Sequence, residues 1–348
     1  MRFYRHRHTV TRALVAGVVA SGVLGSGSSA HDRTTQVTWT ADVAPILQTR
    51  CVGCHDTGGF APIPLASYQD ARAAAPQIKQ EVLEGRMPPW PAARGFGDFS
   101  NDRSLTPLEA ELLTAWAEGN TPIGPPVEAR SAAAAGGNSR AADLELTVPA
   151  PHDVTALSAR FDLPSVSGGD RWIGGWEFRP GNRSIITEAI VSIDGTRLGA
   201  WTPPDGAVMF PNGVARRLPA GARVGLEVRY RKSASPQTDR SGVAFYFADR
   251  PSRELQHRSL PCGRTVLDRD IDALAIAPRV ASGGEWIEVV AERPDRSLNP
   301  LCIVRRYEPA YPVTYRFTHA MPLARGTSIA VTSSSADCGA DLELSVRR

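Results

Sequence analysis

The spacing of apolar positions changes near Leu144, and the change divides the chain into a helical and a strand-rich part. Before Leu144, apolar residues recur at helical spacing. Ser67, followed three residues later by Asp70, predicts a helix start. The sequence 106–109 (Thr-Pro-Leu-Glu) predicts a capping box for another helix, which ends at Gly119.

From Leu144 onwards, apolar and polar residues alternate between breaks rich in Gly, Pro and Asp, which predicts β-strands. The predicted strands are 185–193, 223–230, 242–247, 286–291, 313–317 and 328–332. Similar turns at 219–221 (Pro-Ala-Gly) and 324–326 (Ala-Arg-Gly) each precede a strand, which indicates two related β-sandwiches. We therefore expect a multidomain chain, with an all-α domain followed by an all-β module.

The first thirty residues have the layout of a secretory signal peptide. Three arginines (Arg2, Arg5 and Arg7) precede an apolar stretch, and small residues up to Ala30 form a cleavage site. The apolar stretch is short for a membrane span, so we expect a cleaved signal and a periplasmic or secreted protein with no stable membrane span in its mature form. The expected boundaries are 1–30 for the signal peptide, 36–126 for the helical domain, 127–142 for a linker, 143–251 for the first sandwich and 252–348 for the second.

The amino-acid composition bears on the size of the core and on one class of partner, nucleic acid. The apolar fraction of 42% is enough to form real cores. The formal net charge is only +3, and arginine is scattered through every segment instead of forming one basic stripe. Nucleic acid is therefore not an expected partner.

Two of the five cysteines belong to a motif with a specific chemistry. Residues 51–55 read Cys-Val-Gly-Cys-His, the spacing at which two thiols attach covalently to haem and the histidine reaches the iron. The alternatives are a redox dithiol, which would follow a strand in a βαβ pattern, and half of a zinc site, which would need a second ligand pair. Neither context is present, so the motif predicts one covalent haem c on Cys51 and Cys54, with His55 as an axial ligand.

The expected sixth ligand of the iron is Met87. Two prolines follow it and hold the chain extended, and no histidine lies between His55 and His152. A His/Met ligand pair favours an electron carrier over an oxygen binder. The candidate walls of the haem pocket are aromatic or aliphatic: Phe60, Ile63, Leu65, Trp90, Phe96 and Phe99.

The other three cysteines lie far downstream. Cys302 sits in an apolar run and is expected to be a buried thiol. In an oxidising compartment, a disulfide between Cys262 and Cys338 is then the expected pairing.

Several motifs in the first part resemble the bacterial cytochrome c domains that are fused to copper type II, ascorbate-dependent monooxygenase-like modules. The matching stretches are 42–47 (DVAPIL), the haem motif, 61–65 (APIPL), 86–90 (RMPPW) and 99–103 (FSNDR). The resemblance implies that His55 and Met87 are the axial ligands of the haem iron.

The second part resembles, more weakly, the monooxygenase module of the peptidylglycine α-hydroxylating type, which is built as two jelly-roll-like sandwiches. The matching stretches are 178–182 (FRPGN), 211–214 (PNGV), 217–221 (RLPAG) and 313–317 (VTYRF). The positions at which that family holds copper read Thr187-Glu188, Arg229 and 279–281 (Arg-Val-Ala). Copper is therefore not expected as a cofactor, because a guanidinium offers no lone pair and carries a positive charge.

Three functions are compatible with these patterns. The first is an exported monohaem c-type cytochrome for electron transfer, without catalytic residues, whose degenerate β module serves as a docking or binding scaffold and whose partner is a redox protein outside the cytoplasm. The second is an oxidoreductase of the copper monooxygenase type with non-standard ligands, which leaves enzyme activity open. The third is a sugar- or peptide-binding module.

Overall fold

The computed structural model describes residues 36–126, 140–281 and 285–347. The predicted signal peptide (1–30) and most of the predicted linker (127–142) lie outside the described residues. Residues Val37–Arg348 form one compact unit. The predicted domain boundaries stay a prediction.

The helices lie in the first part of the described chain. A π-helical turn (Trp39–Val43) is followed by α1 (Ala44–Arg50), α2 (Tyr68–Ala73), α3 (Ala75–Leu83) and α4 (Pro107–Glu118). Both predicted caps are confirmed. The Ser67 Oγ accepts the Asp70 N–H at 3.2 Å, and Thr106 and Glu109 form the reciprocal capping box, with N···O distances of 3.1 and 2.6 Å.

The described chain from Leu144 onwards forms β-strands. They are β1 (Leu144–Thr147), β2 (His152–Asp153), β3 (Ser158–Asp162), β4 (Arg171–Arg179), β5 (Ile186–Ile193), β6 (Thr196–Trp201), β7 (Val208–Met209), β8 (Val214–Leu218), β9 (Val224–Tyr230), β10 (Thr238–Asp239), β11 (Gly242–Ala248), β12 (Arg253–Pro261), β13 (Gly263–Val266), β14 (Ile271–Val280), β15 (Ile287–Glu292), β16 (Leu298–Val304), β17 (Tyr315–Leu323), β18 (Ser328–Ser333) and β19 (Cys338–Val346). Each of the six predicted strands overlaps one of these.

One long sheet runs through the whole β region. Its strand order is β1-β11-β4-β8-β12-β19-β14-β17, with β7 paired to β4. The parallel pairing of β8 with β12 joins its two halves. A four-stranded sheet faces each half, β3-β9-β5-β6 on one and β13-β18-β15-β16 on the other. The result is two β-sandwiches that share a continuous sheet.

Each sandwich has its own apolar core. The first contains Trp176, Phe178, Trp201 and Phe245, and the second contains Cys302 and Tyr315 among its aliphatic residues. A disulfide joins Cys262 to Cys338, and Cys302 is a buried free thiol. These observations confirm the expected cysteine pairing.

The predicted all-α domain is wrong. Ala92 and Phe99 pair with Val304 and Phe317 in isolated antiparallel bridges, and the Ala93 N–H donates to the Ile303 carbonyl at 2.7 Å. Part of the segment 36–126 is therefore extended and built onto the second sandwich, where the ring of Phe99 enters the apolar core. The described chain is mostly β-structure with four short α-helices, which contradicts the expected fold of an all-α cytochrome c domain followed by two jelly-roll-like sandwiches.

In the part of the chain that the structure describes, no helix has both the length and the apolar character needed to cross a membrane.

Candidate functional site

A cavity of about 350 Å³ lies where the helices meet loops from both sandwiches. Its lining is mainly apolar. The apolar side chains from the helical segment are Leu47, Phe60, Ala61, Pro62, Ile63, Leu65, Ala74, Ile78, Val82, Met87, Pro88, Pro89, Leu105 and Leu113. Pro203, Pro204 and Arg231 come from the first sandwich and Tyr311 from the second.

The predicted site residues Cys51, Cys54, His55 and Met87 all line this cavity. The first three lie on one turn that follows α1. The Cys51 carbonyl accepts the N–H groups of Cys54 and His55 at 3.1 and 2.9 Å, which closes the turn. The following loop folds back because the Ala61 N–H donates to the Cys54 carbonyl at 2.9 Å and the Leu65 N–H donates to the His55 carbonyl at 2.7 Å.

This loop also fixes the imidazole of His55. The Nδ1 atom lies 2.7 Å from the Ile63 carbonyl oxygen. A carbonyl oxygen only accepts hydrogen bonds, so Nδ1 carries the proton and donates it. Among the described residues, no group forms a hydrogen bond with Nε2 of this ring.

The two thiols of the turn are kept protonated. Burial, together with the smaller effect of the neighbouring Cys54, raises the pKa of Cys51 from its ordinary value of 9.0 to about 12. Burial likewise raises the pKa of Cys54 to about 11. Since the thiolate is the nucleophilic form of cysteine, both thiols are weak nucleophiles in this environment and act as small apolar groups with weak S–H donors.

Met87 reaches the cavity from the end of α3. Its N–H donates to the Glu81 carbonyl at 3.2 Å, after Gly85 has turned the chain with a φ of 63°. Arg306, just beyond β16, donates to the carbonyl oxygens of Glu84 and Gly85 at 2.8 and 3.3 Å. The second sandwich thus holds the backbone that presents the Met87 thioether.

The first sandwich closes another side of the cavity through Pro203 and Pro204. A Cβ atom at Gly53 would lie 2.8 Å from the Cβ of Pro204, so glycine permits this close approach. Arg103 forms an ion pair with the buried carboxylate of Asp205 and donates to the Pro203 carbonyl at 3.1 Å. These contacts fix the proline loop against the Cys51–His55 turn.

One mouth of the cavity is formed by three side chains from three parts of the chain. The rings of Phe60 and Tyr311 pack edge to face, with their centroids 5.6 Å apart. The guanidinium carbon of Arg231 lies 4.7 Å from the centroid of the Phe60 ring, which is a cation–π contact.

The predicted pocket walls divide into two groups. Phe60, Ile63 and Leu65 line the cavity. Phe96 does not line it, and Trp90 and Phe99 pack with the core of the second sandwich instead. Pro203, Pro204, Arg231 and Tyr311 also line the cavity, and the sequence did not predict them there because no local motif connects them with the Cys51–His55 turn.

The positions expected to correspond to copper ligands hold ion pairs. The carboxylate of Glu188 is buried and lies 2.7 Å from a guanidinium nitrogen of Arg229. Burial raises the pKa of this carboxyl group, while Arg229 opposes the rise. Arg279 pairs with Asp341, which Arg197 also contacts at 2.8 Å.

Comparisons with known proteins give little that bears on this site. No family model matches the chain, and no curated protein matches it. The major capsid protein P2 of bacteriophage PM2 is 12% identical over 58% of this chain and 97% of its own, with a TM-score of 0.28. A223, a turret protein of Sulfolobus turreted icosahedral virus, is 12% identical over 59% of this chain and 100% of its own, with a TM-score of 0.18. At these TM-scores neither likeness carries an argument about fold or function.

Several sequence-based assignments are contradicted. Among residues 36–126, 140–281 and 285–347, no group of three or more His, Cys, Asp and Glu side chains is placed to hold a metal ion. Together with the mostly β fold, this finding contradicts the predicted haem c cofactor and the membership of the cytochrome–copper monooxygenase family. The predicted electron-transfer function depends on this haem and is contradicted with it. The roles of Cys51, Cys54, His55 and Met87 in binding a ligand stay a prediction, as does the redox partner.

Proposed function

We propose that this chain is a binding protein that holds a bulky, mainly apolar organic molecule in the cavity beside the Cys51–His55 turn. The observation that carries the proposal is the cavity itself. It is enclosed by the helical segment and by loops of both sandwiches, and its lining is mainly apolar.

The size and lining of the cavity match those of small-molecule sites. Such sites are concave, have volumes of roughly 300–1,000 Å³ and combine apolar walls with a few fixed polar groups. A volume of about 350 Å³ lies within that range. Burial of apolar ligand surface contributes roughly 25 cal/mol per Å² before the costs of association are subtracted.

The fixed polar groups of the cavity give orientation to the ligand. The His55 Nε2 atom is open to a hydrogen bond with the ligand, because Nδ1 is engaged by Ile63. The protonated thiols of Cys51 and Cys54 and the thioether of Met87 are soft, polarisable groups that suit an apolar or aromatic surface. We assign these four residues to the contact surface of the ligand.

The compartment forms part of the proposal. A signal-peptide pattern at residues 1–30 supports export. The disulfide between Cys262 and Cys338 supports an oxidising environment, because such bonds are rare in the cytosol. We place the mature protein in the periplasm or outside the cell.

A direct test is titration with pyrenebutanol, a neutral fluorescent probe with a large aromatic body. Ala61 lines the cavity, so Ala61→Trp fills it with an indole ring and should weaken probe binding at least tenfold. Ala66 is exposed and does not line the cavity, so Ala66→Trp is the matched control and should bind like the wild type. Circular dichroism checks that both variants fold.

Two results would contradict the proposal. One is the absence of saturable pyrenebutanol binding by the wild-type protein. The other is equal binding by Ala61→Trp and Ala66→Trp, which would place the probe elsewhere. Native mass spectrometry of protein purified from an exporting host adds a second measurement, since any organic molecule retained in the cavity should be lost in Ala61→Trp and kept in Ala66→Trp.

A further inference from the structure

We infer that the ligand carries an anionic group, such as a carboxylate, which binds to Arg231 and Tyr311 at the mouth of the cavity. The inference rests on the proposed function and narrows the class of ligand to an amphipathic organic acid. The observation behind it is a pair of hydrogen-bond donors without acceptors at the edge of an apolar cavity.

Three arginines line the cavity, and two of them are neutralised by the protein. Arg50 pairs with Glu109 at 3.2 Å and donates to the Asp102 carbonyl at 3.2 Å. Arg103 pairs with Asp205 and donates to the Pro203 carbonyl. Their charges serve to hold the cavity walls together.

Arg231 differs from these two. Its backbone N–H donates to the Ile185 carbonyl at 2.8 Å, which fixes its main chain directly after β9. Its guanidinium contacts the Phe60 ring but forms no ion pair with any carboxylate in the described parts of the chain. A guanidinium presents five N–H donors in a planar fork that matches a carboxylate, so the donors of Arg231 that face the cavity mouth remain available.

Tyr311 supplies the second donor. Its ring lies against Phe60, and its hydroxyl has no hydrogen-bonding partner among the residues that the structure describes. Tyr311 is 38% exposed and also lines the cavity, so the residue lies at the boundary between the cavity and water. An amphipathic acid could bury its apolar body beside Ile78 and Leu113 while its anion stays at this boundary.

The position of the Arg231 guanidinium explains why the anionic group of the ligand lies at the mouth of the cavity and not in its interior. Burial of an unpaired charge is costly, and the other charged groups of the lining, Arg50, Glu81 and Arg103, already pair with the protein. At the mouth, the anion keeps part of its hydration and gains charge-assisted hydrogen bonds. The cavity therefore sets both the apolar character and the orientation of the ligand.

The test compares pyrenebutyrate with pyrenebutanol, which share the same aromatic body and differ in charge. Wild-type protein should bind pyrenebutyrate more tightly than pyrenebutanol. Arg231→Gln should lower the affinity for pyrenebutyrate at least fivefold more than it lowers the affinity for pyrenebutanol. Tyr311→Phe should show the same selectivity with a smaller loss. Lys232→Gln is the matched control, because Lys232 is the exposed neighbour that does not line the cavity.

The outcomes separate this inference from the proposed function. If wild-type protein binds pyrenebutanol and Ala61→Trp does not, but Arg231→Gln leaves the affinity for pyrenebutyrate unchanged, the cavity is a binding site and the anion site is wrong. An equal loss for both probes in Arg231→Gln, or an equal loss of pyrenebutyrate binding in Lys232→Gln, also overturns the anion site. If neither probe binds to the wild-type protein, both proposals fail.

Discussion

The thiols of Cys51 and Cys54 show how a short motif acquires its chemistry from its surroundings. The spacing of the two cysteines and His55 is a local property, and it gives the closed turn that the structure contains. The raised pKa values of the thiols come from residues that pack over the turn. The sequence motif therefore indicated which residues meet at the site, but the predicted haem chemistry is contradicted.

The protonated thiols make stability depend on alkaline pH. The pKa of Cys54 is about 11 in the folded chain and 9.0 ordinarily, so above pH 9 the unfolded chain releases a proton that the folded chain retains. This stabilising effect is fully present below pH 9 and is lost as the pH rises towards 11. Between pH 8 and pH 10, the wild type should lose about 1 kcal/mol more unfolding free energy than Cys54→Ser, whose hydroxyl does not titrate in this range.

Urea unfolding at both pH values measures this difference. The tyrosines and Cys51 are present in both proteins. With a pKa of about 12, Cys51 stays protonated in the folded chain between pH 8 and pH 10, so its coupling with Cys54 does not contribute and its titration in the unfolded chain cancels in the comparison. A difference in unfolding free energy between wild type and Cys54→Ser that stays constant from pH 8 to pH 10 would show that the Cys54 thiol is not shifted.

At the scale of the elements, the sequence predicted helix starts and strands most reliably, because the signals for them are local. The caps at Ser67 and Thr106 are satisfied by residues three positions away, and the strands follow from alternation along a single run. The segment 90–102 shows the limit of such signals. Its aromatic residues have no regular period, and their partners, such as Tyr315 and Phe317, lie more than 200 positions later in the chain.

The packing of the segment 90–102 on the second sandwich gives a prediction for Phe96 and Phe99. Phe99 is 8% exposed and packs in the second core, whereas Phe96 is 40% exposed. Phe99→Ala should lower the unfolding free energy by about 3 kcal/mol, because it leaves a cavity among Trp90, Tyr315 and Phe317. Phe96→Ala should change it by less than about 0.5 kcal/mol.

Chemical denaturation of Phe99→Ala and Phe96→Ala tests whether Phe99 packs in the second core or only lines the ligand cavity. If Phe99 were a wall of the ligand cavity only, Phe99→Ala would weaken pyrenebutanol binding with little effect on stability. A stability loss no larger than that of Phe96→Ala would contradict the packing of Phe99 in the second sandwich.

At the scale of the whole molecule, the cavity depends on contacts between distant parts of the chain. Helices α1, α3 and α4 supply its inner wall, Pro203 and Arg231 come from the first sandwich and Tyr311 comes from the second. Arg103 and Arg306 connect these parts by ion pairing and by hydrogen bonds to main-chain carbonyls. Residues brought together in this way share no sequence pattern, which is why the sequence did not predict the lining residues that come from the two sandwiches.

The central claim is that an apolar ligand occupies this cavity against the Cys51–His55 turn. The most direct measurement is the rate at which methyl methanethiolsulfonate modifies Cys51 and Cys54 at pH 8.5, read by peptide mass spectrometry with and without saturating pyrenebutanol. We predict that the probe slows modification of both thiols at least fivefold in wild-type protein and has no effect in Ala61→Trp. Unchanged rates at Cys51 and Cys54 in wild-type protein saturated with the probe would contradict the account.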